Sequence, residues 1–437
     1  MKWKYLSPGW KTFLRVWSGQ IVSLIGTAMS RFALMIWAYQ QTHAATTLAL
    51  LGFFNYGTLV ICTSFSGVVV DRLKRKQVML LADACAALLS AVILLLYSSD
   101  QLQIWHLYLL GAASGMFEAF QYPAYQASIT LLVPRDDFTR AASLNGLAES
   151  SSRVIAPVLA GLLLPLAGIK PILLIDLATF FVAFGTLVFS TIPQPDRAAD
   201  DLADGKKASL KAGWDFIRER PGLVGLIYVF AFINLFAGLT YYSIISPMIL
   251  ARSGNSTLAL SWVEAALGLG GIAGGLLLSI WGGPKQRVKL LLLVTAVSFI
   301  TGDGTFAFGR SLPFWIIAGF ISNMTVPFIT APNQSIWQSK TPPELQGRVF
   351  ALRGMLQMIT IPVGYLAAGP LADCVFEPAM SVEGNLAGVF GWISGVGPGA
   401  GMGLMFACTA LGGLLTAILG YASPAVRHVE SDLPDMV

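Results

Sequence analysis

Along this chain apolar residues come in long runs separated by short polar turns. A helix crossing a hydrocarbon core of about 30 Å needs roughly 20 mostly apolar residues. Runs of that length occur near 14–39, 48–70, 77–97, 104–131, 141–166 and 170–191. After a polar stretch they resume near 222–250, 260–281, 288–308, 313–337, 346–371 and 400–422. The pattern predicts an all-α membrane protein with twelve transmembrane helices, and an even number places both termini on one side of the membrane. The polar stretch 192–221 divides the run of helices into residues 1–191 and 222–437, six in each part. Its tail, Leu210 to Arg220, alternates apolar and charged positions at helical spacing. That suits a helix lying on the membrane surface, and a solvated linker equally well. A second irregular stretch, 372–397, leads into the last helix, and seven glycines between 388 and 403 suggest a loosely packed or re-entrant entry.

Composition agrees with the membrane reading. Charged residues make up 12% of the chain and hydrophobic residues 55%, whereas a soluble domain carries about 25% charged residues. The net charge of +5 does not point to nucleic acid, because the basic residues sit in the short loops between apolar runs. Of 28 Lys and Arg, 22 fall in loops on one side, including Arg72–Lys76 and the central stretch. The positive-inside rule makes that side, and both termini, cytoplasmic. Lys2, Lys4, Lys11 and Arg15 precede an apolar stretch with no small-residue cleavage site, so a retained first helix is expected rather than a signal peptide. Cys62, Cys85, Cys374 and Cys408 show neither metal spacing nor a disulfide framework, and His43, His106 and His428 are isolated. No nucleotide motif and no nucleophile–base constellation is visible, so neither an enzyme nor a cofactor is expected.

An internal repeat organises the helices. Gly67, Asp71, Gln126, Pro134 and Arg140 match Gly275, Ser279, Gln334, Pro342 and Arg348 at a constant offset of 208 residues. Five matches at one offset point to duplication of a six-helix unit. The stretch Gly67-Val-Val-Val-Asp71-Arg72-Leu-Lys-Arg75-Lys76 between the second and third runs resembles the signature loop of the major facilitator superfamily, G-x-x-x-D-R-x-G-R-K, with Lys74 in place of the second glycine. The stretch from Pro123 to Leu163, and PPELQGRVFAL in the second half, resemble the drug-efflux branch typified by bacterial macrolide exporters. Ala156-Pro157-Val-Leu-Ala160-Gly161 is similar to the antiporter motif G-P-x-x-G-G, with alanines at two glycine positions. The resemblance implies the major facilitator fold, two pseudo-symmetric six-helix bundles working by alternating access in a bacterial inner membrane. Gly67, Asp71, Arg72, Arg75, Lys76 and Arg348 then form a conformational latch, or else a basic loop that only enforces topology. Pro157 and Gly161 permit a bend and close helix packing.

Charges inside a membrane helix are costly and mark function by default. Glu118 lies mid-helix among Phe117, Phe120, Gln121 and Tyr122, and is the leading candidate for proton coupling. Arg31 is a candidate counter-ion to it. Glu149 and Arg153 stand one turn apart in the favourable order for an ion pair, serving either coupling or mutual neutralisation. Asp83 lies about one turn inside its helix and also belongs with the latch region. Asp303, in Gly302-Asp303-Gly304, lines a cavity or a packing seam. Phe53, Asn55, Phe117, Gln121, Tyr125, Asn234, Phe236, Asn323 and Gln334 are mid-helix and polar or aromatic, a make-up suited to an amphiphilic organic substrate. The reading is a monomeric proton-driven exporter of drugs or natural products. A siderophore or metabolite exporter, or a non-transporting protein on a carrier scaffold, remains open.

Overall fold

The computed structural model describes residues 7–134, 137–193, 205–284 and 286–436. The side chains of Val68, Asp71, Arg72, Thr139 and residues 205–210 lie outside that description. The fold is all-helical, and among the described residues eleven helices are long and apolar enough to cross a membrane. These are α1 (Pro8–Thr42), α2 (Ala45–Gly67 within a helix continuing to Arg72), α3 (Arg75–Ser98), α5 (Arg140–Ala167 of Phe138–Ala167) and α6 (Ile169–Val188). They continue with α7 (Pro221–Leu239), α8 (Thr257–Trp281), α9 (Arg287–Phe308), α10 (Leu312–Lys340), α11 (Pro343–Ala379) and α12 (Ala400–Ala422). The remaining long helix, α4 (Ile104–Leu132), has 29 residues, enough to span about 43 Å at 1.5 Å per residue. His106, Glu118, Gln121 and Gln126 make it less apolar than the others.

By its contacts the chain divides into two units. The first holds Met1–His43, Leu50–Asp196 and Ser256–Ala265; the second holds Ala44–Ala49, Arg197–Asn255 and Ala266–Val437. In the first unit α1 packs on α6 through a glycine face. A Cβ at Gly19 or Gly26 would run into Thr186 or Thr179, so the two backbones approach closely, as small residues allow in membranes. Side-chain cores gather at the basic-loop ends of the helices. Trp10, Phe13, Ile129, Leu132 and Ala141 form one, and Val16, Val78, Met79, Ala124 and Leu187 another. The second unit has a larger core around Trp337, Leu223, Leu226, Leu291, Ile336 and Val349.

Three departures from the sequence expectation matter for function. The run 222–250 does not form one helix: α7 ends at Leu239, and a separate helix Ile245–Arg252 follows. The Ser243 hydroxyl donates to the Gly238 carbonyl across the break. Secondly, the helix Gly205–Arg218 is neither a free surface helix nor a solvated linker. Its Gly213, Phe216 and Ile217 are buried, the last two in the core of the second unit and the first against the backbone of Arg348. Thirdly, the glycine-rich entry to α12 is tied down. Glu377 accepts the backbone N–H groups of Gly399 and Met402 at 2.9 and 2.8 Å, a carboxylate cap on the helix N-terminus. Arg252 spends its guanidinium on the carbonyls of Gly399, Gly309 and Ser394. Positive φ at Gly395, Gly397 and Gly399 explains the glycines, since these turns need the left-handed region.

The C-terminal tail is likewise pinned. Lys340, at the end of α10, donates to the Glu430 carbonyl at 2.6 Å and pairs with Asp435 at 3.0 Å. Glu430 in turn accepts the Val288 N–H at the start of α9, at 2.8 Å. The Lys340 ammonium, by hydrogen bond and by charge, holds the exposed Asp435 carboxyl below the usual aspartate range. A carboxyl with a depressed pKa stabilises the docked tail above its ordinary value, about 3.9. That contribution disappears as the pH falls through the lowered value. Lys340→Met is therefore expected to raise amide exchange across residues 424–436 at pH 7, and acidifying the parent protein below pH ~4 to loosen only its Asp435 arm. Unchanged exchange in Lys340→Met would show that the tail is held without this lysine.

Candidate functional site

In the first unit α1 is a polar spine. Gln20, Thr27 and Arg31 recur at spacings of seven and four residues, on one helical face. Each meets an acid on a different neighbouring helix. Gln20 donates to Asp83 of α3 at 3.1 Å, and Gln121 of α4 donates to the other oxygen of the same carboxyl. Thr27 donates to Asp176 of α6 at 2.9 Å, as Ser90 of α3 does from its side. Arg31 pairs with Glu118 of α4 at 2.9 Å and touches Ser114 at 3.4 Å. Ser114, Glu118 and Gln121 share one face of α4, so the sequence spacing and the contacts agree.

Burial sorts these acids differently from the sequence. Asp83 and Asp176 are 4% and 3% exposed, whereas the Glu118 side chain is 43% exposed and its Arg31 partner 50%. Sequence reasoning placed Glu118 in an aromatic, desolvated setting because its chain neighbours are aromatic. Successive residues on a helix point in different directions, so those neighbours do not enclose it. Glu149 and Arg153 are both exposed on α5 and, among the described residues, form no ion pair with each other.

The signature-loop residues divide. Arg75 donates to the Ala127 carbonyl of α4 at 2.7 Å, and Lys76 to the carbonyls of Val188 and Ser190 at 2.8 Å, at the C-terminus of α6. Both cations thus satisfy carbonyls at or near helix ends, and Lys76 also meets the negative pole of α6. Gly67 is exposed with open space where a Cβ would stand, and the side chains of Asp71 and Arg72 lie outside the described residues. Arg348 is exposed at the start of α11. On α5, Pro157 is buried, and a Cβ at Gly161 would run into Ser261 within the same unit.

Among the residues expected to line a cavity, three asparagines bind backbone instead. Asn55 donates to the Gly111 carbonyl, Asn234 to that of Gln357 and Asn323 to that of Leu267, at 3.2, 2.8 and 2.9 Å. Asn55 sits in a π-turn, Phe53–Gly57, where α2 crosses α4 so closely that a Cβ on Gly115 would meet the Asn55 backbone. Such turns re-aim side chains in a way no periodic pattern reveals. Phe53 packs on Phe54, and Phe236 on Phe232 and Phe299, with Gly412 against its ring. Tyr125 donates to Asn145 at 2.9 Å, tying α4 to α5. Phe117 is half-buried on α4. Gln334 accepts from Arg353 at 2.9 Å.

The second unit holds a cluster that sequence reasoning could not assign. Asp303 ends a second π-turn, Phe299–Asp303, and is 2% exposed. Thr409 of α12 donates to it at 2.7 Å, and the Tyr241 hydroxyl lies at 3.0 Å. Tyr241 also lies 2.8 Å from the Ser322 hydroxyl, and Ser322 lies 2.6 Å from the Ala318 carbonyl. Between them Tyr241 and Ser322 own two hydroxyl protons for three contacts in a row. A proton on Asp303 completes the chain from carboxyl to Tyr241 to Ser322 to carbonyl. Each unit buries a carboxyl held by hydroxyls from other segments: Asp176 of α6 by Thr27 of α1 and Ser90 of α3, and Asp303 of α9 by Thr409 of α12 and by Tyr241, just beyond the end of α7. The acids lie on different helices of the repeat, Asp176 on the sixth of its unit and Asp303 on the third, so the constant offset does not align them.

Residues 16–365 match the family model described as the Major Facilitator Superfamily. Macrolide efflux protein A of Streptococcus pyogenes is 28% identical over 376 residues, covering 83% of this chain and 90% of that protein. The enterobactin exporter EntS of Shigella flexneri is 25% identical over 345 residues, covering 78% of this chain and 80% of its own. Among solved structures, a bacterial homolog of the human lysosomal transporter Spinster superposes with a TM-score of 0.71 at 15% identity, over 99% of this chain and 100% of that one. The nucleoside transporter NupG gives 0.67 at 11% identity, over 93% and 98%. At such identities these structures speak for the fold alone.

Proposed function

The chain belongs to the Major Facilitator Superfamily, and from that premise we propose that it exports amphiphilic organic compounds by proton-coupled alternating access. The relatives named for macrolide and enterobactin efflux support the outward direction. The observation that carries the proton reading is the set of buried carboxyls, Asp83, Asp176 and Asp303. The side chains that hydrogen-bond to them are neutral amides and hydroxyls. A carboxyl held by neutral donors is able to take up and release a proton without breaking an ion pair. In this reading Glu118, with Arg31 as its counter-ion, is the accessible member of the relay. Glu149 and Arg153 on α5 are further candidates for the coupling. Residues 1–191 and 222–437 act as the two moving halves, joined by the 192–221 linker. Gly67, Asp71, Arg72, Arg75, Lys76 and Arg348 bias which state is populated, while Pro157 and Gly161 shape the α5 crossing. The protein acts as a monomer with both termini cytoplasmic. No metal or other cofactor takes part.

A proton moving inward across 100 mV supplies about 2.3 kcal/mol, enough for a roughly fifty-fold uphill gradient of one exported molecule per proton. Everted vesicles carrying the protein are expected to accumulate a radiolabelled macrolide or a catecholate siderophore when energised, and to lose the accumulation on adding a protonophore. Accumulation that survives the protonophore rules out proton coupling. No accumulation of any amphiphile, together with no change in cysteine accessibility between the two sides of the membrane, would favour a non-transporting protein on a carrier scaffold. Preference for the siderophore over the macrolide would select that substrate class.

A further inference from the structure

Arg353 sits ten residues into α11, in a segment apolar enough to span the membrane. A guanidinium stays charged at any working pH, and a charge at such a depth is retained only when something compensates it. Two other arginines show how that is done. Arg31 has Glu118, and Arg252 has three carbonyls. Arg353 has neither arrangement. Its Nε donates to Gln357 Oε1 at 3.3 Å and its Nη2 to Gln334 Oε1 at 2.9 Å. Its Cζ stands 5.5 Å from the Trp337 ring and 5.9 Å from the Phe350 ring. Among the described residues no carboxylate forms an ion pair with it.

Two donors at this spot have no acceptor: Arg353 Nη1 and Gln357 Nε2. Gln357 is itself 5% exposed, so water does not satisfy it from outside. Leaving a buried donor unmade costs free energy each time, and these two stand one helix turn apart, beside a guanidinium with no ion-pair partner among the described residues. The Gln357 carbonyl is gripped by Asn234 of α7 at 2.8 Å, and Trp337 by Asn333 at 3.1 Å. The frame around the guanidinium is therefore rigid, and a preorganised site binds with less loss of entropy.

We propose that Arg353, with Gln357 and Gln334, is the recognition site for the acidic group of an organic anion. Its two orphaned donors receive a carboxylate or similar oxygen, and the guanidinium receives the charge. This rests on the exporter reading and sharpens it: the exported amphiphile carries an anionic head rather than a cationic one. Gln334 enters as a holder of the guanidinium, a different task from the open cavity position its sequence suggests.

The test is equilibrium binding without any gradient, so that it fails or succeeds separately from transport. Purified protein in lipid nanodiscs is titrated with naphthalene-2-carboxylate, naphthalene-2-carboxamide and a naphthylmethylammonium salt. The carboxylate is expected to bind at least about tenfold more tightly than the amide, as a charge-assisted pair requires, and the ammonium least well. Arg353→Gln is expected to level carboxylate and amide, while Arg353→Lys keeps part of the preference. Gln357→Glu places a carboxylate beside the guanidinium from within. It is expected to raise the thermal midpoint and to erase the preference, an outcome that holds even if Arg353→Gln fails to fold. Equal binding of carboxylate and amide by the parent protein, no binding of either, or a preference that survives Gln357→Glu overturns the proposal. Proton-driven efflux of a neutral or cationic compound, with no carboxylate preference, would remove this inference and leave the exporter reading standing.

Discussion

Gly364→Leu is expected to yield no monodisperse protein. Gly364 on α11 faces Gly238 at the end of α7, and a Cβ there would stand 2.8 Å from Gly238 Cα and C and from the Leu235 carbonyl oxygen. The reverse also holds, since a Cβ on Gly238 would meet Gly364 Cα at 3.2 Å and the Ile361 carbonyl at 2.8 Å. These are backbone atoms, which cannot swing aside as a side-chain tip can. Overpacking a core costs about 1–3 kcal/mol where side chains yield, and the helix crossing itself must open here. The same crossing carries Asn234 and Thr360, which tie α7 to α11 through the carbonyls of Gln357 and Ala231, so those bonds go with it. Size-exclusion profiles of the solubilised protein provide the check. Gly67→Ala is the contrast, because nothing stands within 4 Å of a Cβ there. It is expected to fold like the parent, so any loss of transport in that variant belongs to the signature loop's working and not to packing. A normal profile for Gly364→Leu would mean that the two helices do not cross on these glycines.

Glu118→Gln is expected to lower gradient-driven transport at least about tenfold while leaving the folded yield unchanged. Glutamine keeps the size of the side chain and an oxygen for Arg31 Nη2, now 2.9 Å from Glu118 Oε2; it loses the charge and the titrating proton. The glutamine amide therefore still gives the guanidinium an acceptor, and the folded yield is expected to hold. A large transport defect with normal yield would therefore report coupling and not folding. Arg31→Gln tests the other partner: it leaves the acid in place without its counter-ion and is expected to lower transport less than Glu118→Gln does. Wild-type rates in Glu118→Gln under a proton gradient would exclude this acid from the relay and leave the enclosed carboxyls to carry it.

Much of the architecture was legible in the residues. A membrane demands about 20 apolar residues per crossing and satisfies backbone groups only within helices, so α1 to α6 and α8 to α12 could be placed, although α11 runs on to Ala379, past the end expected near 371. α4 was found in the sequence despite its polar residues, because its apolar stretch still runs unbroken by loop residues. The break after Leu239 was not, since Thr240-Tyr-Tyr-Ser-Ile contains no proline or glycine and reads as continued apolar helix. The meeting of Arg31 with Glu118 was anticipated from their charges. Their exposure was not, because exposure depends on which way α1 and α4 turn.

What the sequence determined by itself is the chain's solvent and its elements: long apolar helices, basic loops, a duplicated unit and the membrane family these imply. Each of those is a property of consecutive residues, and the bilayer reads consecutive residues. What only the tertiary structure decided is the company each polar group keeps. Asp83 with two glutamines, Asp303 with Tyr241 and Thr409, and Arg353 with two orphaned donors all join residues from different helices. Helix faces rotate by about 100° per residue, and the π-turns at Phe53–Gly57 and Phe299–Asp303 shift them further. No spacing along the chain encodes such partners, because they are set by where helices cross.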